Sequence, residues 1–233
     1  MSHVAKTALV TGASSGIGFA TAKGLIEKGF EVEGVARSLG SVNLPGLRKT
    51  EIDLAKLDDL SECLSTYKSA PGLLVLNAGY GQFGGLEQFS HAQIQTLVNT
   101  NLVSNLFILK HFMPQIKTQG GGDIVLIGSE SALNGAKAGS VYCATKFAIR
   151  GLAQSLRADC ANSNIRVLLM NPGPVATEFF DDLNFQPLAG DEFVIQAESV
   201  ADSIIHALEQ PRNVVMEEIN LQPMKRSFTK KKN

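Results

Sequence analysis

The sequence predicts an α/β fold: one parallel sheet with helices on both faces. Two observations carry this. Short, largely apolar runs (7–10, 73–76, 124–127, 165–170) alternate with helix-spaced segments along the whole chain. Such runs belong to strands covered on both faces. No Pro-, Gly- or Ser-rich linker divides the 233 residues, so the helices read as right-handed crossovers within one domain spanning 1–233.

The elements follow in order. Thr7-Ala8-Leu9-Val10 is the first strand, and the stretch Thr11-Gly12-Ala13-Ser14-Ser15-Gly16-Ile17-Gly18 turns the chain into a helix over 19–28, stopped by Gly29. A second strand covers 31–36. Residues 37–50 read as a loop, with a short third strand ending at Ile52 and closed by Asp53. A helix over 58–67 and the turn Pro71-Gly72 lead to the fourth strand, 73–76, which ends in Asn77-Ala78-Gly79. Beyond a Gly- and Phe-containing loop (80–90), one long helix runs over 93–116 with Pro114 near its end. The fifth strand is 124–127, a helix covers 140–161, and the sixth strand, 165–170, is broken by Pro172, Gly173 and Pro174. Residues 177–195 are irregular and rich in Phe. A helix over 199–209, capped by Ser199, precedes the last strand at 214–221. The basic tail, 225–233, reads as a solvated, frayed end, with membrane-surface contact the lesser option.

Composition narrows the function classes. A hydrophobic content of 44% suits a chain that buries a full core. A formal net charge of −1 lacks the basic excess of a nucleic-acid footprint. No apolar run approaches about 18 residues, which argues against membrane insertion, and Met1-Ser2-His3-Val4-Ala5-Lys6 leaves no room for a signal peptide. Three cysteines with no Cys-x-x-Cys pair fit a reducing cytoplasm, without a disulfide framework or a metal site. Cys143 reads as a small helix residue, the alternative being a redox-active thiol.

Four groups of residues carry chemistry. A strand, a glycine turn and a helix start together suit a pyrophosphate, because the turn exposes N–H groups and the helix adds partial positive charge. Gly12 permits the turn, Gly16 the close approach, Gly18 the helix–strand packing, and Ser14 and Ser15 add hydroxyl donors; a glycine turn without ligand is the alternative. After the second strand, Ala36 stands where an acid would accept NAD ribose hydroxyls, and Arg37-Ser38 follow. A guanidinium there favours the 2′-phosphate of NADP(H), unless Arg37 is an ordinary surface residue. Asp53 is placed to accept from an adenine amino group or to close a turn. Asn77, Ala78 and Gly79 end the fourth strand on the ligand side of such a sheet, and let backbone approach a cofactor; an ordinary turn is the alternative.

Tyr142 and Lys146 share one helix face. A free phenol ionises at about 10, and lowering that by roughly 3 units needs about 4 kcal/mol. One ammonium at about 4 Å, at an effective dielectric of about 20, is an attraction of that order. Tyr142 is the one tyrosine of three with a lysine four residues on. Ser129, at the end of the fifth strand, can donate to a substrate oxygen held against the phenol; Ser131 is in reserve. Asn101 lies inside a long helix, as a water anchor for Lys146 or an internally satisfied amide.

Taken together, Thr11-Gly12-x-x-x-Gly16-Ile17-Gly18, Asn77-Ala78-Gly79, Asn101, Ser129, Tyr142-x-x-x-Lys146 and Asn171-Pro172-Gly173 leading to Thr177 resemble the short-chain dehydrogenase/reductase family. The loop Tyr80-Gly81-Gln82-Phe83-Gly84-Gly85-Leu86-Glu87 and the Tyr142 segment are similar to the branch of hydroxysteroid and retinol dehydrogenases. The resemblance implies a doubly wound, Rossmann-type sheet of seven strands in the order 3-2-1-4-5-6-7. It also implies a catalytic set of Asn101, Ser129, Tyr142 and Lys146. Cofactor contacts would come from Gly12, Ser14, Ser15, Gly16, Ile17, Gly18, Arg37, Ser38, Asp53, Asn77, Ala78, Gly79, Tyr142, Lys146, Pro172, Gly173, Val175 and Thr177. In the family the residue matching Thr177 touches the nicotinamide carboxamide, and the one matching Lys146 also binds the ribose. Gly128-Ser129-Glu130-Ser131 stands where the family more usually has paired serines, so the Ser129 assignment rests on spacing.

The expected activity is hydride transfer between NADP(H) and a carbonyl or secondary alcohol, with Tyr142 as general acid/base, in a cytoplasmic homodimer or homotetramer. Phe179-Phe180 in tandem cannot both face one core from a helix. Residues 177–195 are therefore expected to form a substrate lid, with Ser129, Tyr142, Phe179 and Phe180 lining a site for a hydrophobic molecule. A helix packed on the core is the alternative. A non-catalytic NADP(H)-binding sensor on the same fold is the rival function, and an epimerase or dehydratase would need a larger substrate domain.

Overall fold

The structure, a computed structural model, describes residues 5–231. Strands β1 (Thr7–Thr11), β2 (Glu31–Ala36), β3 (Leu47–Glu51), β4 (Leu73–Leu76), β5 (Gly122–Ile127), β6 (Ile165–Pro172) and β8 (Glu218–Leu221) form a parallel sheet in the order β3-β2-β1-β4-β5-β6-β8. The short β7 (Phe185–Pro187) and β9 (Phe228–Lys230) pair antiparallel outside it. Helices α1 (Gly16–Glu27) and α6 (Ala197–Glu209) cover one face; α2 (Leu57–Ser65), α4 (Ser104–Thr118) and α5 (Ser140–Cys160) cover the other, with α3 (His91–Val98) leading into α4.

Strand residues divide between the two layers by simple alternation. Leu74, Leu76, Ile124, Leu126, Val167 and Leu169 join the core under α2, α4 and α5, while Leu73, Val75, Val125, Ile127, Leu168 and Met170 join the core under α1 and α6. Successive side chains of a strand point to opposite faces, so runs of consecutive apolar residues require this two-sided cover.

Several boundaries differ from the sequence reading. The first helix starts at Gly16, because the glycine turn itself supplies its first turn. The third strand lies at 47–51, inside the expected loop. Its residues, Leu-Arg-Lys-Thr-Glu, are charged and half exposed because β3 is an edge strand, so no apolar run announces it. The expected single helix over 93–116 is α3 and α4 joined by a π-turn at Asn99–Val103. It starts at His91, where Ser90 and Gln93 cap each other reciprocally, and continues past Pro114 to Thr118. β6 runs through Pro172, since Gly173 rather than the proline donates to Leu221. The last sheet strand is only 218–221; Val214 and Val215 are exposed before it. Ser199 does not cap α6: buried Ala197, Val200 and Ala201 start the helix after Gln196. The tail is not frayed over its described part, for residues 228–230 are β9.

Gly18 shows how tightly α1 sits on the sheet. A Cβ there would lie 2.1 Å from the Gly12 carbonyl oxygen and 2.5 Å from Asn77 Nδ2. Gly151, on the exposed side of α5, has open space around it. Gly18→Ala is expected to lower stability by about 1–3 kcal/mol, and Gly151→Ala to raise it by up to about 1 kcal/mol. Urea unfolding midpoints of the two variants check this, and equal midpoints would contradict it.

Candidate active site

The strand order reverses between β1 and β4, and ligands of such sheets bind outside the carboxyl ends of the strands at that point. Two turns flank it here. Gly12 and Gly16 take positive φ (67° and 54°), a region other residues rarely enter. Asn77 stitches this turn to the end of β4: its Nδ2 donates to the Thr11 and Gly12 carbonyls (2.9 and 3.2 Å), and Thr11 Oγ1 accepts from the Asn77 and Ala78 amides. Ser15 precedes α1 without capping it through its side chain, and no acid stands in the first turn. Amide donors at an uncapped, acid-free helix start after a glycine turn fit the phosphates of a dinucleotide. Thr177 reaches over Gly16, where a Cβ would lie 2.8 Å from its methyl group; its own hydroxyl accepts from the Phe179 amide.

β5 and α5 bring the reactive candidates together. Ser129, Tyr142, Lys146 and Asn101 are all buried. Ser129 Oγ starts a short 3₁₀ turn by accepting from the Ser131 amide, so Ser131 supports the turn. Gly128 beside it is explained by Asn171 on β6, whose Oδ1 would lie 2.0 Å from a Cβ at 128 and accepts from the Ser129 amide. A second serine does not fit there. Lys146 Nζ donates to the Ile127 carbonyl (2.9 Å) and lies 5.8 Å from the Tyr142 ring centroid.

Asn101 sits in the π-turn with its side chain committed. Its Oδ1 accepts from the Tyr80 amide (3.0 Å), and its Nδ2 donates to the Tyr80 carbonyl (2.9 Å) and Thr145 Oγ1 (3.3 Å). Thr145 in turn donates to the Tyr142 carbonyl. The amide therefore clamps the turn after Gly79 to the helix that carries Tyr142. Asn105, which the sequence reading passed over, donates to the Asn101 carbonyl (3.0 Å), while its own buried Oδ1 has no partner among the described residues. Only the sequence spacing of four, a helical neighbour, could have signalled it.

Electrostatics overturn one expectation. Burial pushes the Tyr142 phenol up to about 12, with the Ser129 hydroxyl acting the other way and Cys143 and Glu130 adding to the rise. Burial also pulls Lys146 down to about 8. Loss of water disfavours both charged forms, and for the phenol it is opposed only by the Ser129 hydroxyl. Lys146 therefore does not depress Tyr142 by itself, and the phenol is held protonated at neutral pH.

Around the phenol stands a wall of rings. Phe83 lies 5.3 Å and Phe179 5.8 Å from Tyr142, centroid to centroid, and Phe180 packs on Phe179 at 5.1 Å. The tandem pair splits as its alternation requires, Phe179 inward and Phe180 outward to Phe185 and Phe228. Phe83 went unassigned in the sequence, because only the folded 80–90 loop, held by the Gly84 amide on the Ala138 carbonyl, carries it to Tyr142.

Other candidates sit apart from this cluster. Arg37 and Ser38 are exposed beyond β2, with Arg37 close enough to Tyr80 to favour its ionised form. Asp53 Oδ1 accepts from the Ala55 amide, a turn geometry that leaves its other oxygen uncommitted. Val175 is buried in the α1/α6 core, Ile17 packs against the same core, and Pro172 belongs to β6, so a side-chain contact with a cofactor is closed to Val175. The described residues hold no cluster of metal ligands and no helix long and apolar enough to cross a membrane.

Comparison with known proteins agrees with this geometry. The family model for short chain dehydrogenases matches residues 6–187. An uncharacterized oxidoreductase of Staphylococcus epidermidis is 29% identical over 229 residues, covering 94% of this chain and 97% of that protein. Human retinol dehydrogenase 8 is 33% identical over 77% of this chain and 62% of its own longer length. Among solved structures, an alcohol dehydrogenase from the archaeon Thermococcus sibiricus complexed with 5-hydroxy-NADP superposes with a TM-score of 0.80 at 26% identity, covering 95% of this chain and 98% of that one. The chain thus belongs to the short-chain dehydrogenase family, with a retinol dehydrogenase among its relatives. It is an oxidoreductase of the NAD(P)-dependent dehydrogenase/reductase type.

Burial raises all three phenols, Tyr67, Tyr80 and Tyr142. A raised phenol keeps its proton past pH 10 in the folded protein and loses it near 10 when unfolded. Tyrosinate absorbance of the native protein is therefore expected to develop above pH 10, and that of the denatured chain around it. A native phenol titrating at or below 10 would contradict the assignment.

Proposed function

We propose that the chain reduces or oxidises an apolar small molecule at a carbonyl or secondary alcohol, using NADP(H), with Tyr142 as general acid/base. The observation that carries the reading is a buried, protonated Tyr142 set between Ser129, Lys146 and a wall of phenylalanines. Bound nicotinamide supplies or accepts the hydride. The rest is done by side chains of this chain. In the reductive direction Ser129 donates a hydrogen bond to the substrate oxygen and holds it against the phenol. Tyr142 then gives its proton to that oxygen; in the oxidative direction it takes the proton back. Lys146, on the same helix face, holds the nicotinamide ribose and adds positive charge beside the phenol. Asn101 keeps the turn after Gly79 and the α5 helix in register and anchors a water next to Lys146.

For the cofactor, the turn Gly12, Ser14, Ser15, Gly16, Ile17 and Gly18 takes the pyrophosphate. Asp53 takes the adenine, Asn77, Ala78 and Gly79 lie along the ribose, and Pro172, Gly173, Val175 and Thr177 border the nicotinamide, Val175 through its backbone. Arg37 and Ser38 grip a 2′-phosphate. The 5-hydroxy-NADP complexed with the archaeal neighbour and the exposed guanidinium after β2 support this preference. Residues 177–195 serve as lid in a single domain. The apolar substrate rests on the ring wall and on the kinship with a retinol dehydrogenase. Three free cysteines fit a cytoplasmic protein, and the exposed apolar side chains of Leu106 on α4 and Phe147 on α5 fit self-association into a dimer or tetramer.

Tyr142→Phe is expected to lower turnover at least about 100-fold and to leave NADPH affinity nearly unchanged; steady-state rates and a fluorescence titration read the two. Activity above about a hundredth of wild type would remove Tyr142 as the acid/base. Arg37→Ala is expected to weaken NADP(H) binding about tenfold or more and to spare NAD(H). Equal losses for both cofactors would refute the phosphate contact.

A further inference from the structure

We propose that the C-terminal segment 225–231 forms the outer wall of the substrate pocket, with Phe228 selecting for long apolar substrates. This rests on the apolar-substrate reading above and names a specificity-determining residue, Phe228, that lies 33 positions beyond the end of the lid at 195 (228 − 195).

The two segments are matched in charge. Residues 178–193 contain Glu178, Asp181, Asp182, Asp191 and Glu192 and no basic residue; 225–231 contain Lys225, Arg226, Lys230 and Lys231 and no acid. They are also joined along their length. β7 and β9 pair Phe185 with Lys230, Gln186 with Thr229 and Pro187 with Phe228. On either side, the Leu188 amide donates to the Ser227 carbonyl (3.0 Å), the Lys231 amide to Asn184 (2.9 Å) and the Lys225 amide to Glu192 (2.8 Å). Lys231 Nζ reaches back to the Phe180 and Asp181 carbonyls (2.5 and 2.7 Å). Arg226 pairs with Glu130, the residue after Ser129, and so ties the segment to the serine turn.

The rings say what this wall faces. From the phenol outward run Tyr142–Phe83 (5.3 Å), Phe83–Phe185 (5.1 Å) and Phe185–Phe228 (5.8 Å), with Phe180 touching both Phe185 and Phe228. Phe228 is the outermost ring and is 45% exposed. A carbonyl placed at Tyr142 with a short apolar body ends at Phe83 and Phe179; only a longer body reaches Phe228. The exposed ion pairs contribute little, and an isolated two-stranded ribbon is marginal. The wall is therefore held by its rings and ladder and can open to admit substrate.

The test compares wild type, Phe228→Ala and a chain ending at Met224. Each is given ketones of rising apolar length with NADPH, and the same ketones are titrated calorimetrically without turnover. Phe228→Ala is expected to lower kcat/KM and affinity for the longest ketones about tenfold, the worth of one ring's partial burial, with the shortest ketone nearly unchanged and NADPH affinity unaffected. Hydrogen exchange on the unliganded proteins reads the wall without chemistry: removing 225–233 is expected to speed exchange across 181–193 and leave β4 and β5 protected. Equal loss for short and long ketones, no change for any, or unaltered lid exchange in the shortened chain would overturn the proposal. Absence of turnover with every ketone would instead count against the proposed reaction, with exchange and calorimetry still deciding the wall.

Discussion

The site depends on burying two ionisable side chains one helical turn apart on α5. An ammonium and a phenol taken out of water must each find polar partners, because an unpaired buried charge is costly. Lys146 finds the carbonyl at the end of β5, and Tyr142 finds the Ser129 turn that follows the same strand. Both partners lie at the carboxyl edge of the sheet, so α5 can dock only where its first turns overhang that edge. The π-turn at Asn99–Val103 belongs to the same constraint. It offers the Asn101 side chain to the Tyr80 backbone and to Thr145, and so locks α5 to the loop after β4.

Burial also decides which protonation states the protein holds. At neutral pH the phenol is fully protonated, and Lys146, pulled to about 8, is mostly charged. That pairing suits proton donation to a developing alkoxide. Using the phenol as a base requires further positive charge beside it, since desolvation is opposed here only by the Ser129 hydroxyl.

The segment 177–195 has a different physical basis. Around the phenol the stabilisation is apolar: Phe83, Phe179, Phe180, Phe185 and Phe228 pack edge to face or tilted, with modest gains for each pair. Lys225 also pairs with Glu192 and Arg226 with Glu130, exposed pairs that contribute little.

Local pattern was enough for most of the scaffold. Strands with runs of consecutive apolar residues need cover on both faces, so β1, β4, β5 and β6 and the two-layer core were legible, as were the glycine turn and the Tyr142–Lys146 face, because each depends on neighbours a few residues apart. Local pattern could not announce β3, a charged edge strand, or the π-turn, which keeps helical spacing on both sides. Nor could it show that Gly128 makes room for Asn171, 43 positions on, or that Asn101 spends its amide on Tyr80. The sign of the phenol's shift went the same way: charge spacing is visible along a chain, whereas loss of water is visible only once the chain has closed around the group. The tail reads as solvated by composition, and its place against the lid was decided in three dimensions. Basic residues look free until the acids and rings that receive them, some 40 positions earlier, are folded beside them.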